Sequence, residues 1–85
     1  MKDIVIIRGK IEKIEYKNDG GHPKKVATVV QKNDKTAFVE FRGRKMDLLN
    51  TVEENDHIKV GVSVEGKKSN SGEALFNNLV AHYTL

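Results

Sequence analysis

Apolar and polar residues alternate most regularly near the middle of the chain, where Ile58, Val60, Val62 and Val64 share one parity and His57, Lys59, Gly61, Ser63 and Glu65 the other. A period of two is that of a strand with one buried face, so this segment predicts a half-buried strand with the first set inward. Residues 36–42 alternate likewise: Ala37, Val39 and Phe41 form the expected core set, while Thr36, Phe38, Glu40 and Arg42 face outward. Phe38 is then an aromatic on a polar face, a partner contact or a stacking platform. Residues 3–17 are rich in Ile and Val around Gly9, with apolar positions at Val5, Ile7, Ile11, Ile14 and Tyr16. The step of three from Ile11 to Ile14 breaks the strand period as a β-bulge does, and a bulged strand can serve both halves of a closed sheet. A helix over residues 11–16 is the competing reading. Gly9 and the β-branched run before it favour extended chain.

Turn chemistry separates these segments. Asn18-Asp19-Gly20-Gly21 followed by His22-Pro23 predicts a long, mobile loop. A second strand is expected over residues 25–31, its parity left open because Val29 and Val30 are both apolar, and Lys32-Asn33-Asp34-Lys35 forms the next hairpin turn. Gly43 ends the third strand. Residues 44–50 are a helix-sized stretch with Met46, Leu48 and Leu49 on its apolar side, and Asn55-Asp56 turns the chain again. Ser69-Asn70-Ser71-Gly72 predicts a flexible hairpin loop before a last strand over residues 75–84, with Leu79, Ala81 and Tyr83 inward and Phe76, Asn78, Val80 and His82 outward. The order strand, strand, strand, helix, strand, strand predicts an all-β fold: a five-stranded OB-fold barrel with one short helix between strands 3 and 4, plugging one end.

The 85 residues make a single domain, residues 1–85, with no internal repeat or linker. A chain of this size buries only about 60% of its unfolded surface, which suits a compact barrel or an oligomer better than a large catalytic cleft. The absence of Cys removes disulfides and thiolate metal sites and fits a reducing compartment. The longest apolar run, residues 4–7, is far shorter than a signal sequence or membrane span requires. A soluble, cytoplasmic protein without a membrane partner is expected.

Fifteen Lys and Arg against twelve Asp and Glu leave a net charge of +3, too small an excess to point to a polyanion by itself. The distribution is more informative. Lys17, Lys24 and Lys25 flank the Gly20-Gly21 turn, Arg42, Arg44 and Lys45 crowd the end of the third strand, and Lys67 and Lys68 lead into the last hairpin. Glu53, Glu54 and Asp56 sit apart from them. Catalytic patterns are missing. His22, His57 and His82 are too widely spaced to suggest a metal site. Asp47, Glu40 and Asp56 form no acid–base pair, and no Ser has the context of a nucleophile elbow. Gly20-Gly21 lacks the Lys-Ser/Thr and helix of a phosphate loop. Neither an enzyme nor a cofactor is expected.

The run Ile4-Val5-Ile6-Ile7-Arg8-Gly9-Lys10-Ile11, then Ile14-Glu15-Tyr16 before Asn18-Asp19-Gly20-Gly21, resembles the opening of the bacterial single-stranded-DNA-binding proteins and the related primosomal proteins. Phe41-Arg42-Gly43-Arg44 leading into a short helix is similar to that family's third-strand exit, residues 58–66 to its fourth strand, and residues 69–72 to its fourth hairpin loop. The resemblance covers nearly the whole chain through the order of weakly specific motifs. It implies an OB fold that assembles into a homodimer or homotetramer and wraps single-stranded DNA without sequence preference. There are departures: the chain has no Trp, Arg42 stands where the family has an aromatic before the third-strand Gly, and Lys68 and Ser69 replace the aromatic at the fourth-strand exit. They imply weaker, more salt-sensitive binding. The sequence ends at Leu85, directly after the last strand, so a bare binding module without the family's acidic tail is expected.

Binding of this kind needs a basic groove for phosphates and aromatic faces for bases. The residues expected to supply them are Tyr16, Lys17, Lys24, Lys25, Phe38, Arg42, Arg44, Lys59, Lys67, Lys68 and Phe76. Arg42 can itself stack through its guanidinium plane. The strand would cross the face of the second, third and fourth strands, with the first and last hairpin loops closing over it. Ile4 and Ile6, outward if Val5 and Ile7 face inward, are the expected subunit interface. Single-stranded RNA is the nearest rival ligand, and a protein-interaction module lacking nucleic-acid binding is the rival function. Arg42, Lys59, Lys67 and Lys68 lining one concave groove would favour nucleic-acid binding, and acids scattered among them would favour the interaction module.

Overall fold

Five strands form in the expected order: β1 (Val5–Asp19), β2 (His22–Val30), β3 (Thr36–Arg42), β4 (His57–Lys68) and β5 (Leu75–Thr84), with a 3-10 helix, Gly43–Leu49, between β3 and β4. The computed structural model describes residues 3–68 and 75–85; the side chains of residues 19, 67, 68 and 75–77 and all of 69–74, including the expected last hairpin loop, lie outside the described residues. The strands close into a ring in the order β1-β2-β3-β5-β4. β3 and β5 run parallel and every other neighbouring pair antiparallel.

A ring of five strands closes here because β1 is long and bent. Residues 5–10 pair with β4 and residues 10–19 with β2. The register slips between Ile11 and Lys13, where Glu12 is the extra residue, as the Ile11-to-Ile14 step predicts. Gly9 lies beside this bend. A Cβ there would run into the Val30 carbonyl oxygen and come within 2.8 Å of Val29 Cγ1, so the close approach of the two strands requires glycine. The bulge is pinned from outside: Ile11 N–H donates to the Asp56 carbonyl at 2.8 Å and its carbonyl accepts from Asn55 N–H at 2.7 Å.

The β1–β2 connection is tighter than its composition suggests. Asp19 pairs with His22, leaving only Gly20 and Gly21 in the turn, with φ of +60° and +82°. Two successive positive φ values are the signature of a type I′ hairpin, which Gly-Gly supplies without steric cost. The expected long, mobile loop is therefore a two-residue turn.

Inside the ring, Ile11, Ala27, Val29, Val39, Phe41, Val60 and Val62 are fully or almost fully buried. This decides the open parity of β2: Ala27 and Val29 face inward. Leu49 of the 3-10 helix is buried, and Met46 and Leu48 pack partly against the core, as expected.

The periodicity misleads at two strands. Val64 has inward parity yet is 53% exposed. The β1–β4 ladder ends at Val5↔Val62, so the β4 residues beyond it have β5 on one side and no β1 residue on the other. In β5 the register slips between Tyr83, opposite Gly61, and Ala81, opposite Val62. His82 is the bulged residue, which turns Tyr83 out of the core to lie over Gly61, where its ring occupies the space a Cβ would take. Val80 and Ser63, both expected outward, are opposite one another and buried. Ser63 Oγ and His82 Nε2 are hydrogen-bonded at 2.7 Å.

Candidate nucleic-acid interface

The outer face of the sheet collects the outward residues of β1, β2 and β3. Lys13 lies opposite Thr28 and Thr28 opposite Phe38, so these three form one row across the strands. Phe38 is 60% exposed. It stands in an open cleft of about 930 Å³ whose walls include Val26, Thr28, Lys13 and Lys17. Glu12, Glu15 and Glu54 border the same cleft. Glu15 pairs with Lys13 and, at 4.0 Å, with Lys17. The Lys13 hydrogen bond and charge hold the Glu15 carboxyl below its ordinary value, and the same contact raises Lys13.

Beside the cleft is a chain of ion pairs. Lys24 on β2 lies opposite Arg42 on β3, and Glu40 sits two residues before Arg42 on the same face. Lys24 Nζ donates to Glu40 Oε1 at 2.7 Å, Arg42 Nη1 donates to Glu65 Oε2 at 2.9 Å, and Arg42 Nη2 lies 3.5 Å from Glu40 Oε2. Glu65 is on β4 and β5 lies between, so the Arg42 side chain crosses β5 to reach it. Glu40 is itself only 7% exposed. Burial favours its neutral form, but Lys24 and then Arg42 outweigh this and hold its carboxyl below the usual value. Burial also works against the Arg42 charge, and Glu65 and Glu40 more than restore it.

The expected site residues therefore fall into separate groups. Phe38 and Lys17 border the cleft; Lys24 and Arg42 are ion-paired beside it. Tyr16 and Lys25 do not join them. Tyr16 pairs with Lys25 and Lys25 with Phe41, whose side chain points into the core, so Tyr16 and Lys25 share the parity opposite to Phe38. Tyr16 is 60% exposed at the far end of that row, just short of the hairpin. Arg44 is exposed on the 3-10 helix, next to Lys45, whose Nζ donates to the His82 carbonyl at 2.7 Å. Lys67 is opposite Phe76 and Lys68 opposite Leu75 along the β4–β5 hairpin, while the side chains of Lys67, Lys68 and Phe76 lie outside the described residues.

Lys59 belongs to a different surface. It is paired with Arg8 across the β1–β4 ladder, and the next rung on the same face sets Lys10 opposite His57. Lys59, Arg8 and His57 line a second cleft of about 400 Å³ with Gly9, Ile58 and Leu85. Arg8, Lys10 and His57 are not among the contacts the sequence suggests. The alternation of Ile7, Gly9 and Ile11 already turns Arg8 and Lys10 outward; their alignment with β4 depends on ring closure.

No family model, curated protein or solved structure matches the chain. Among the described residues, no group of three or more His, Cys, Asp or Glu is placed to hold a metal ion, and no helix is long and apolar enough to cross a membrane.

Proposed function

We propose that this chain is an OB-fold module that binds single-stranded nucleic acid, with single-stranded DNA as its ligand. The carrying observation is Phe38, a large aromatic 60% exposed on the outer face of β3 above an open cleft. A base stacked on such a ring is worth about 1–3 kcal/mol and needs no sequence-specific contact. The OB assignment draws on the closed order β1-β2-β3-β5-β4, the parallel β3–β5 contact and the helix between β3 and β4. Phe38 stacks a base, and Lys13 and Lys17 on the walls of the same cleft donate to the neighbouring phosphates. Arg42 and Lys24 act chiefly as structural braces, since Glu40 and Glu65 already hold them.

Those carboxylates also favour a second reading, a protein-interaction module that uses the same face. A mixed-charge face with one exposed aromatic suits a protein partner as well as a polyanion. Anisotropy of a labelled oligo-dT, titrated at low and moderate salt beside duplex DNA and the matching RNA, separates them. Preference for the single strand with a salt-dependent affinity supports the nucleic-acid reading, and tighter RNA binding changes the ligand. No binding at low salt leaves the interaction module. Self-association belongs to the same proposal: Ile4 is 39% exposed and Val5 49%, at one end of the ring.

A further inference from the structure

The β1–β4 face carries a feature that does nothing for the stability of the sheet. Arg8 lies directly opposite Lys59, and Lys10 directly opposite His57, on consecutive outward rungs of one antiparallel ladder. Arg8 and Lys59 are like charges directly opposed across strands, an arrangement that destabilises a sheet. Among the described residues no Asp or Glu is ion-paired to Arg8 or Lys59, while Glu12 borders a cleft that Lys10 lines. The ion pairs of the described residues use Lys13, Lys17, Lys24 and Arg42, and none involves Arg8, Lys10, His57 or Lys59. The cleft between them includes no Asp or Glu in its lining. The cations expected at the cleft beside Phe38 have acids next to them, whereas Arg8 and Lys59 face each other with no ion-pair partner among the described residues.

We infer that the Arg8–Lys59 and Lys10–His57 rungs form a track for the phosphodiester backbone of single-stranded nucleic acid, in addition to the Phe38 cleft. The inference rests on the proposed function and names where the strand's charge is met. Same-face residues along a strand recur every ~7 Å, twice the rise per residue. Consecutive phosphates of an extended single strand are separated by a similar distance, so two rungs fit two successive phosphates. Arg8 supplies a planar fork suited to a phosphate and Lys59 a point charge opposite it. Because both strands are pinned at this end, by Ile11 to the Asn55-Asp56 turn and by Leu85 N–H to the Lys59 carbonyl at 2.9 Å, the track is preorganised. β1 then leads from the rungs past its bulge to Lys13, in the row that contains Phe38. A bound strand following β1 reaches both surfaces.

The test compares the unmodified chain with the double variant Arg8→Gln/Lys59→Gln and with a charge-matched control, Lys32→Gln/Lys35→Gln, in the β2–β3 turn. Each is titrated with labelled oligo-dT across a salt series and, separately, with a poly-glutamate peptide; thermal melting checks folding. The expected result is oligo-dT binding whose log–log salt slope falls by about 0.7 in the Arg8/Lys59 variant, corresponding to the one phosphate met by that rung, and changes little in the control. The melting temperature of the Arg8/Lys59 variant should be equal or higher, because the opposed charges are gone. If the unmodified chain binds oligo-dT and the slope is the same in both variants, the track is refuted and the Phe38 reading stands. If oligo-dT fails to bind at all, the proposed function falls and the inference with it. Poly-glutamate bound through Arg8 and Lys59 in preference to oligo-dT would make the occupant an acidic protein segment and overturn the inference.

Discussion

Phe38 and Phe41 lie three residues apart on β3 and have opposite fates, one 60% exposed and the other fully buried. Truncation should separate them. Phe41→Ala leaves a cavity in a core otherwise made of Val, Ala, Ile and Leu, and should cost about 3–5 kcal/mol in urea unfolding. Phe38→Ala touches no core residue, so its stability should change by no more than about 0.5 kcal/mol. If Phe38 stacks a base, the same variant loses about 1–3 kcal/mol of oligo-dT affinity, roughly 5- to 150-fold. Unchanged affinity in a folded Phe38→Ala would remove the observation on which the proposed function rests. The alternation along β3 makes the fates of both residues legible in the sequence, because adjacent parities in a short strand depend on local geometry alone. Glu40 is not legible in the same way. Its outward parity is correct, but its burial comes from Lys24 and Arg42 beside it and from the Arg42 arm that continues to Glu65 on another strand.

Those four side chains tie β2, β3 and β4 together over the outside of β5, so their consequence belongs to the elements. Glu40 is more acidic in the folded chain than its ordinary value. A carboxyl shifted in that direction stabilises the fold fully above the unfolded value of about 4.3, and its contribution is lost as pH falls below that toward the folded value. Glu40→Gln should therefore cost about 1–3 kcal/mol at neutral pH, since it leaves Lys24 without its acceptor charge in a half-buried setting. The variant should also lose less stability on acidification than the unmodified chain. Urea unfolding at roughly pH 7 and pH 3 measures both, and equal acid sensitivity of the two proteins would show that the network contributes nothing. The two bulges teach a related lesson. The one in β1 is legible because it breaks the Ile11-to-Ile14 spacing, whereas the one at His82 leaves Leu79, Ala81 and Tyr83 in perfect alternation. Only the pairing with Gly61, which has no side chain to oppose the ring, makes room for Tyr83 outside the core.

For the molecule as a whole, closing the ring pairs most strand edges, yet β4 runs on beyond Val62 without β1 beside it. Val64 and Val5 share a shallow cleft at this end with Asp3, Ser63 and Glu65, and Ile4 is exposed next to them. The expected interface residue Ile6 is only half-exposed and continues directly into Arg8 along the outward parity of β1. Two copies meeting across the β1–β4 face about a two-fold axis would press Arg8 and Lys59 against their own counterparts, which costs energy unless an anion intervenes. Self-association is therefore expected through Ile4, Val5 and Val64, at the end of the ring where apolar surface remains and the basic rungs are out of contact. Sedimentation velocity over a range of protein concentrations should show a dimer or larger assembly that Val64→Glu dissociates, and the already exposed position means that this variant should keep its fold. A monomer at every concentration would end the self-association proposal. A dimer indifferent to Val64→Glu but dissociated by salt-sensitive removal of a bound anion would instead place the contact on the β1–β4 face, with the bound backbone acting as the bridge between copies.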